Sequence, residues 1–190
     1  MILFINACVR CNSRTERLAK YLLSLLDEPA EEIRLSDLTF PKVDEAFLLR
    51  RNALIAAEEW NAPDFQAANQ FAAADTVIIA APYYDLSFPA ALKQYLEQIT
   101  VTGITFTYTA DGFPKGLCRA NKLYYLTTSG GSRLPEEYGA GYVKALAQNF
   151  YGIPEFRYYR AEGLDLDGAD PEKILQNTMS EISAAEQASQ

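Results

Sequence analysis

The sequence predicts an α/β chain, a doubly wound five-stranded parallel sheet with helices on both faces, in one domain over residues 1–190. Three observations carry this prediction. Short apolar runs of strand length alternate with amphipathic helical patterns along the whole chain. A helical pattern, not a tight turn, follows each run, as crossovers between parallel strands require. The run at 76–81, TVIIAA, is apolar at nearly every position, as a strand covered on both faces must be.

Taken in order, the first strand is 2–6, ILFIN. A polar loop follows, and Ser13-x-x-Glu16 forms a capping box that starts a helix over 13–26, with Leu18, Leu22, Leu25 and Leu26 on one face. The second strand, 32–35, carries Glu31, Glu32 and Arg34 at or beside it, which suits a position near a sheet edge. The stretch 44–71 is long for one crossover. It predicts two helices broken near Ala62-Pro63, with Leu48, Leu49, Trp60 and Phe65 to be covered. The third strand, 76–81, leads to a helix over 89–99. Pro89 falls in its first turn, and Leu92, Tyr95, Leu96 and Ile99 share a face. In 103–117, Ile104, Phe106 and Tyr108 alternate with threonines and Asp111-Gly112 supplies a turn, so a small hairpin excursion is expected. A fourth strand over 122–128, a helix over 137–150, a fifth strand over 156–161 and a helix over 171–185 complete the pattern. The tail beyond Ala185 is expected to fray.

Composition narrows the functional classes. Hydrophobic content of 49% and charged content of 22% are ordinary for a globular chain, and a net charge of −8 argues against a nucleic-acid partner. No apolar run approaches the ~20 residues needed to span a bilayer, and Asn6 and Arg10 interrupt any N-terminal signal pattern. Three cysteines, an odd number, point to a reducing cytoplasm. There is no histidine, which removes His-based triads, general bases and metal ligands together. No metal is expected, and catalysis must use other acids and bases or a cofactor.

In an open doubly wound sheet, ligands bind beyond the carboxyl ends of the strands, where strand order reverses. The loops 7–13, 82–88 and 129–135 should converge there. In the first, backbone N–H groups and the positive end of a helix dipole meet the hydroxyls of Ser13 and Thr15 and the charges of Arg10 and Arg14. That is a phosphate pocket. The plain alternative is that Ser13 only caps and the arginines are only solvated. In the second loop, Tyr83 and Tyr84 stand where aromatics can flank a flat ligand, although packing explains them equally well in a chain with 12 tyrosines. In the third, Gly130 and Gly131 after Thr127, Thr128 and Ser129 let backbone amides approach a ligand, or simply turn the chain.

Two cysteine readings compete. Cys8-Val9-Arg10-Cys11 is a CxxC before a helix, the place of a redox dithiol. Cys8 and Arg14 are also spaced C-x5-R, as in Cys-dependent phosphatases, with Asp170 available as a general acid. Such a loop normally needs glycine to turn so tightly, and this one has none.

Taken together, the three loops resemble the flavodoxin-like NAD(P)H:quinone oxidoreductase and FMN-dependent NADH-azoreductase family over most of the chain. Its S-x-R-x-x-S-x-S/T loop is met by Arg10, Ser13 and Thr15, with Cys8 where serine is usual. Its P-M-Y-N-F-x-x-P-x-x-L-K segment is met by Pro82, Tyr84, Pro89, Leu92 and Lys93, with Tyr83, Asp85 and Leu86 as variants. Its G-x-T-F-x-Y-T-x-x-G segment is met by Gly103, Thr105, Phe106, Tyr108, Thr109 and Gly112. Its T-[ST]-x-G-G loop is met by Thr127, Thr128, Ser129, Gly130 and Gly131, and the Ala161-Glu162-Gly163 run is also of its type.

The resemblance implies an FMN enzyme that takes hydride from NAD(P)H at flavin N5 and passes it to a small quinone- or azo-type acceptor. Ser13, Arg14 and Thr15, with Arg10 nearby, would hold the flavin phosphate. Pro82, Tyr83, Tyr84, Asp85 and Leu86 would lie along the ring, and Thr128, Ser129, Gly130 and Gly131 would meet its pyrimidine side. FMN is implied over FAD because no second nucleotide motif is present. Tyr84 or Tyr138 would be the catalytic proton relay. A homodimer is implied, with 44–71 and 104–113 suited to face the partner. The alternatives are the Cys8/Arg14 phosphatase and a flavin electron carrier or redox sensor without its own NAD(P)H site.

Overall fold

The computed structural model describes residues 1–133 and 135–188. Its sheet comprises β1 (Ile2–Asn6), β2 (Ala30–Arg34), β3 (Thr76–Ala80), β6 (Lys122–Thr128) and β7 (Glu155–Ala161). The order is β2-β1-β3-β6-β7 and every pairing is parallel, so the fold is flavodoxin-like. The chain leaves β1 toward β2 on one side and later returns to β3 on the other. The switch point therefore lies at the carboxyl ends of β1 and β3, beside the first and second of the anticipated loops.

Side-chain alternation divides the core into two layers. Ile2, Phe4, Ile78, Ala80, Tyr124 and Leu126 point to one face and pack with Leu18 and Leu22 of α1 (Arg14–Leu26) and Leu175 and Ile182 of α6 (Pro171–Gln187). Leu3, Ile5, Val77, Ile79, Leu123 and Tyr125 point to the other, under α3 (Gln66–Ala73), α4 (Ala90–Ile99) and α5 (Ala140–Leu146). The anticipated two-helix stretch is α2 (Glu45–Ala56) followed by α3, with a 3₁₀ turn at Pro63–Phe65 between them. The expected excursion is the hairpin of β4 (Phe106–Tyr108) and β5 (Pro114–Gly116).

Several boundaries differ from the sequence reading, each for a local reason. β2 begins two residues earlier than expected because Ile2 and Leu3 pair with Ala30 and Glu31. Pro89 is the N-cap of α4 rather than its first helical residue. The helix expected over 137–150 starts at Ala140 and ends in a π-helical turn, Ala147–Tyr151, closed by left-handed Gly152. The tail past Ala185 does not fray where it is described. Helix α6 continues to Gln187, held by Glu186, whose carboxylate accepts from the hydroxyls of Tyr124 at 2.6 Å and Tyr159 at 2.9 Å. Ser189 and Gln190 lie outside the described residues, as does Leu134 in the third loop.

Candidate active site

At the carboxyl end of β1, the buried Asn6 accepts the Cys8 backbone N–H at 3.0 Å and donates to Glu32 at 2.8 Å. The Ala7 N–H donates to the Ala80 carbonyl. Those bonds fix where the first loop leaves the sheet. Ser13 ends the loop as the N-cap of α1, its hydroxyl accepting the Glu16 N–H at 3.3 Å. The capping box is only half made, because the Glu16 carboxylate turns to Arg34 and Lys20 instead. The first-turn amides of α1 have no helical acceptors of their own and face the loop side.

The second loop is tied to the third where the Tyr83 N–H donates to the Thr128 carbonyl at 3.0 Å. Tyr84 and Ser87 then exchange both backbone bonds across Asp85 and Leu86, which have φ of 49° and 70°. A two-residue turn with both central φ values positive normally takes Asn-Gly. Asp tolerates it, but a leucine there is strained by about 1–2 kcal/mol. The Ser87 hydroxyl secures the turn by donating to the Tyr138 carbonyl at 2.6 Å.

The third loop is clasped by the segment after β7. Gly163, Leu164 and Asp165 donate their N–H groups to the carbonyls of Gly131, Ser129 and Gly130. The Thr15 and Thr128 hydroxyls meet at 2.6 Å in a buried contact, joining the first loop to the third.

The result is a cavity of about 240 Å³. The structure brings Arg10, Ser13, Arg14, Thr15, Pro82, Tyr83, Tyr84, Thr128, Ser129 and Gly130 to its wall. Asp85, Leu86, Gly131 and Tyr138 do not line it; Leu86 and Tyr138 are exposed. The sequence reading missed Val9, Asn12, Leu164 and Asp165, which do. Only Asp165 had a signal to offer, as an acidic side chain just beyond the Ala161-Glu162-Gly163 run. The Tyr83 hydroxyl is buried without a partner, and burial followed by the Glu162 charge pushes its pKa up. It therefore stays a proton donor at neutral pH.

The cysteine alternatives find no support in this geometry. Burial pushes the Cys8 thiol up to about 11, and its sulfur sits 3.7 Å from the Ala80 carbonyl, whereas a phosphatase nucleophile must be a thiolate. Asp170 is occupied as the N-cap of α6, accepting the Lys173 N–H at 3.1 Å.

The family described by a flavodoxin-like fold matches residues 1–185. An FMN-dependent NADH:quinone oxidoreductase of Lachnoclostridium phytofermentans is 36% identical over 183 residues, 90% of each chain. The chain belongs to the flavodoxin-like family that contains these oxidoreductases. A second relative of that name, from Clostridium acetobutylicum, is 46% identical over 126 residues, 64% of this chain and 61% of the relative. That match spans less than two thirds of the relative's length. Among solved structures of the flavodoxin-like fold, an FMN-dependent NADH-azoreductase of Bacillus anthracis in complex with FMN superposes with a TM-score of 0.79 at 26% identity, covering 100% of this chain and 99% of that one. An azoreductase of the same species reaches 0.83 at 23% identity over 97% of each, which shows the shared fold.

The cavity fits a flavin mononucleotide chemically. Hydroxyls, helix-terminal amides and guanidinium groups gather at one end, as a phosphate requires. An unpartnered phenol, that of Tyr83, lines the same cavity.

Proposed function

We propose that the protein is an FMN-dependent NAD(P)H oxidoreductase acting on quinone- or azo-type acceptors. The observation that carries this reading is the convergence of three loops, distant in sequence, on one cavity at the switch point of the sheet. The relatives' names and the FMN-bound neighbour support it. When bound, FMN supplies the two-electron exchange, taking hydride from NAD(P)H and passing it on to the acceptor.

The chain's residues would then hold and tune that group. Ser13, Thr15 and the first-turn amides of α1 would bind the phosphate, with Arg10 and Arg14 supplying charge. Pro82, Tyr83 and Tyr84 would flank the ring, and Asp85 and Leu86 would set the turn that aims them. Thr128, Ser129 and Gly130 would meet the edge where negative charge grows on reduction, with Gly131 shaping the turn behind them; the Ser129 N–H is already given to the Ala161 carbonyl. With no histidine in the chain, we assign any proton needed near the ring to a phenol. Tyr84, 40% exposed at the cavity wall, is better placed for this than Tyr138, which does not line it. No helix is long and apolar enough to cross a membrane among the described residues. We further propose a homodimer in the cytoplasm.

The test is flavin binding, read apart from turnover. The purified protein should take up one FMN per chain and turn yellow. Replacing Thr15 with Val removes a buried hydroxyl at the phosphate end. It should weaken FMN binding by about tenfold or more, the weight of one charge-assisted hydrogen bond. Unchanged affinity in that variant would refute the assignment of the phosphate end.

A further inference from the structure

Asp165 is the only acidic residue among the described residues that line the cavity, and it stands on the side of the proposed phosphate. Its backbone is fixed by its N–H bond to the Gly130 carbonyl at 3.1 Å. Its carboxylate lies so close over the glycine loop that a Cβ added at Gly130 would overlap Oδ2. The other oxygen, Oδ1, pairs with Arg14 Nη2 at 2.8 Å. One carboxylate therefore reaches from the glycine loop to an arginine of the phosphate loop. It neutralises one of the two guanidinium groups in the wall.

A phosphate monoester carries close to two negative charges at neutral pH. Brought to the N-terminus of α1, it must share Arg14 with Asp165 or displace it. The Arg14 and Asp165 side chains are 34% and 65% exposed, and pairs this exposed yield easily. What persists is repulsion between the carboxylate and the doubly charged group, which disfavours placing both beside one guanidinium.

We propose that Asp165 sets the affinity and charge selectivity of the site by competing with the flavin phosphate for Arg14. The site therefore holds FMN less tightly, relative to the phosphate-free riboflavin, than its two arginines alone would allow, and FMN remains exchangeable. This rests on the FMN reading above. Asp165 acts here through Arg14 and need not touch the ring.

The experiment is a titration of the apoprotein with FMN and, separately, with riboflavin, read by quenching of flavin fluorescence. The chains compared are wild type, Asp165→Asn and Asp167→Asn. Asp165→Asn keeps shape and size and removes the charge. Asp167 is an exposed carboxylate two residues on that does not line the cavity, so it controls for net charge. Asp165→Asn should tighten FMN by about three- to tenfold at low salt and leave riboflavin within about twofold. The gain should shrink in about 0.5 M salt, where charges several ångströms apart are screened. Asp167→Asn should bind as wild type does. Asp165→Asn binding FMN equally or more weakly would overturn the inference while leaving the FMN reading standing. So would an equal gain for riboflavin, or the same gain in Asp167→Asn. A wild-type chain that takes up neither flavin would overturn both.

Discussion

Glu16 shows how a single residue beneath the first loop ties the cavity to stability. It is 5% exposed, yet it keeps its charge because Arg34 donates to both carboxylate oxygens and Lys20 pairs with it at 2.7 Å. The bonds from Arg34, with smaller help from Lys20 and against the cost of burial, pull its pKa from 4.5 down to about 2. A carboxyl depressed in the folded state stabilises the protein above its unfolded value and loses that contribution as pH falls through the folded one. The window is therefore pH 4.5 to about 2. With partners still partly in water, the contribution at neutral pH is about 2–3 kcal/mol. Glu16→Gln should lose that much in urea melts at pH 7, and the gap to wild type should stay level down to about pH 4.5 and narrow only as the melts are carried on toward pH 3. A gap that stays constant with pH would mean that the ionised pair is not what stabilises this corner.

Among the elements, α6 is held at its C-terminal end by a contact that periodicity does not reveal. Tyr124 of β6 and Tyr159 of β7 lie with ring centroids 6.4 Å apart, and both hydroxyls donate to Glu186. Glu186→Ala would leave the buried Tyr124 hydroxyl without its acceptor and should cost about 2–3 kcal/mol in denaturant melts, whereas Glu186→Gln keeps an acceptor and should cost less. Equal losses in the two variants would assign the effect to the charge of the carboxylate, which both remove, and not to a retained acceptor or to packing. The strands and most helices were legible because burial on two faces leaves continuous apolar runs, and helices leave a stripe. The Ser13 cap, the break at Pro63 and the Asp111-Gly112 turn were legible because each depends on local backbone chemistry. What the sequence hid is non-local. Glu186 looked like part of a polar tail because its partners are 62 and 27 residues away. The π-turn at Ala147–Tyr151 has no composition signal, and Asp165 joins the cavity through backbone bonds from residues 163–165 to the glycine loop. Ten of the cofactor residues expected from sequence line one wall because loops at adjacent strand ends must meet, whatever their side chains.

At the scale of the whole molecule, α2 and the hairpin leave several large apolar side chains exposed. Helix α2 sends Phe47, Leu54 and Ile55 to the core but leaves Leu48 and Leu49 exposed by 47% and 64%. The hairpin leaves Tyr108 and Phe113 exposed by 54% and 70%. Single exposed apolar residues need no explanation, but an α2 apolar on two faces and a hairpin ending in an exposed phenylalanine are what a symmetric partner would cover. The second copy is then expected on these segments, and the prediction is mass. In sedimentation equilibrium at micromolar concentration, the wild-type chain should run at twice its 21.2 kDa. Leu49→Glu combined with Phe113→Glu should drop it to the single-chain value with unchanged far-UV circular dichroism, because burying carboxylates against apolar surface disfavours association and neither side chain supports the protomer's own core. A wild-type chain that sediments at 21.2 kDa, or a double variant that stays paired, would remove these two segments as the interface.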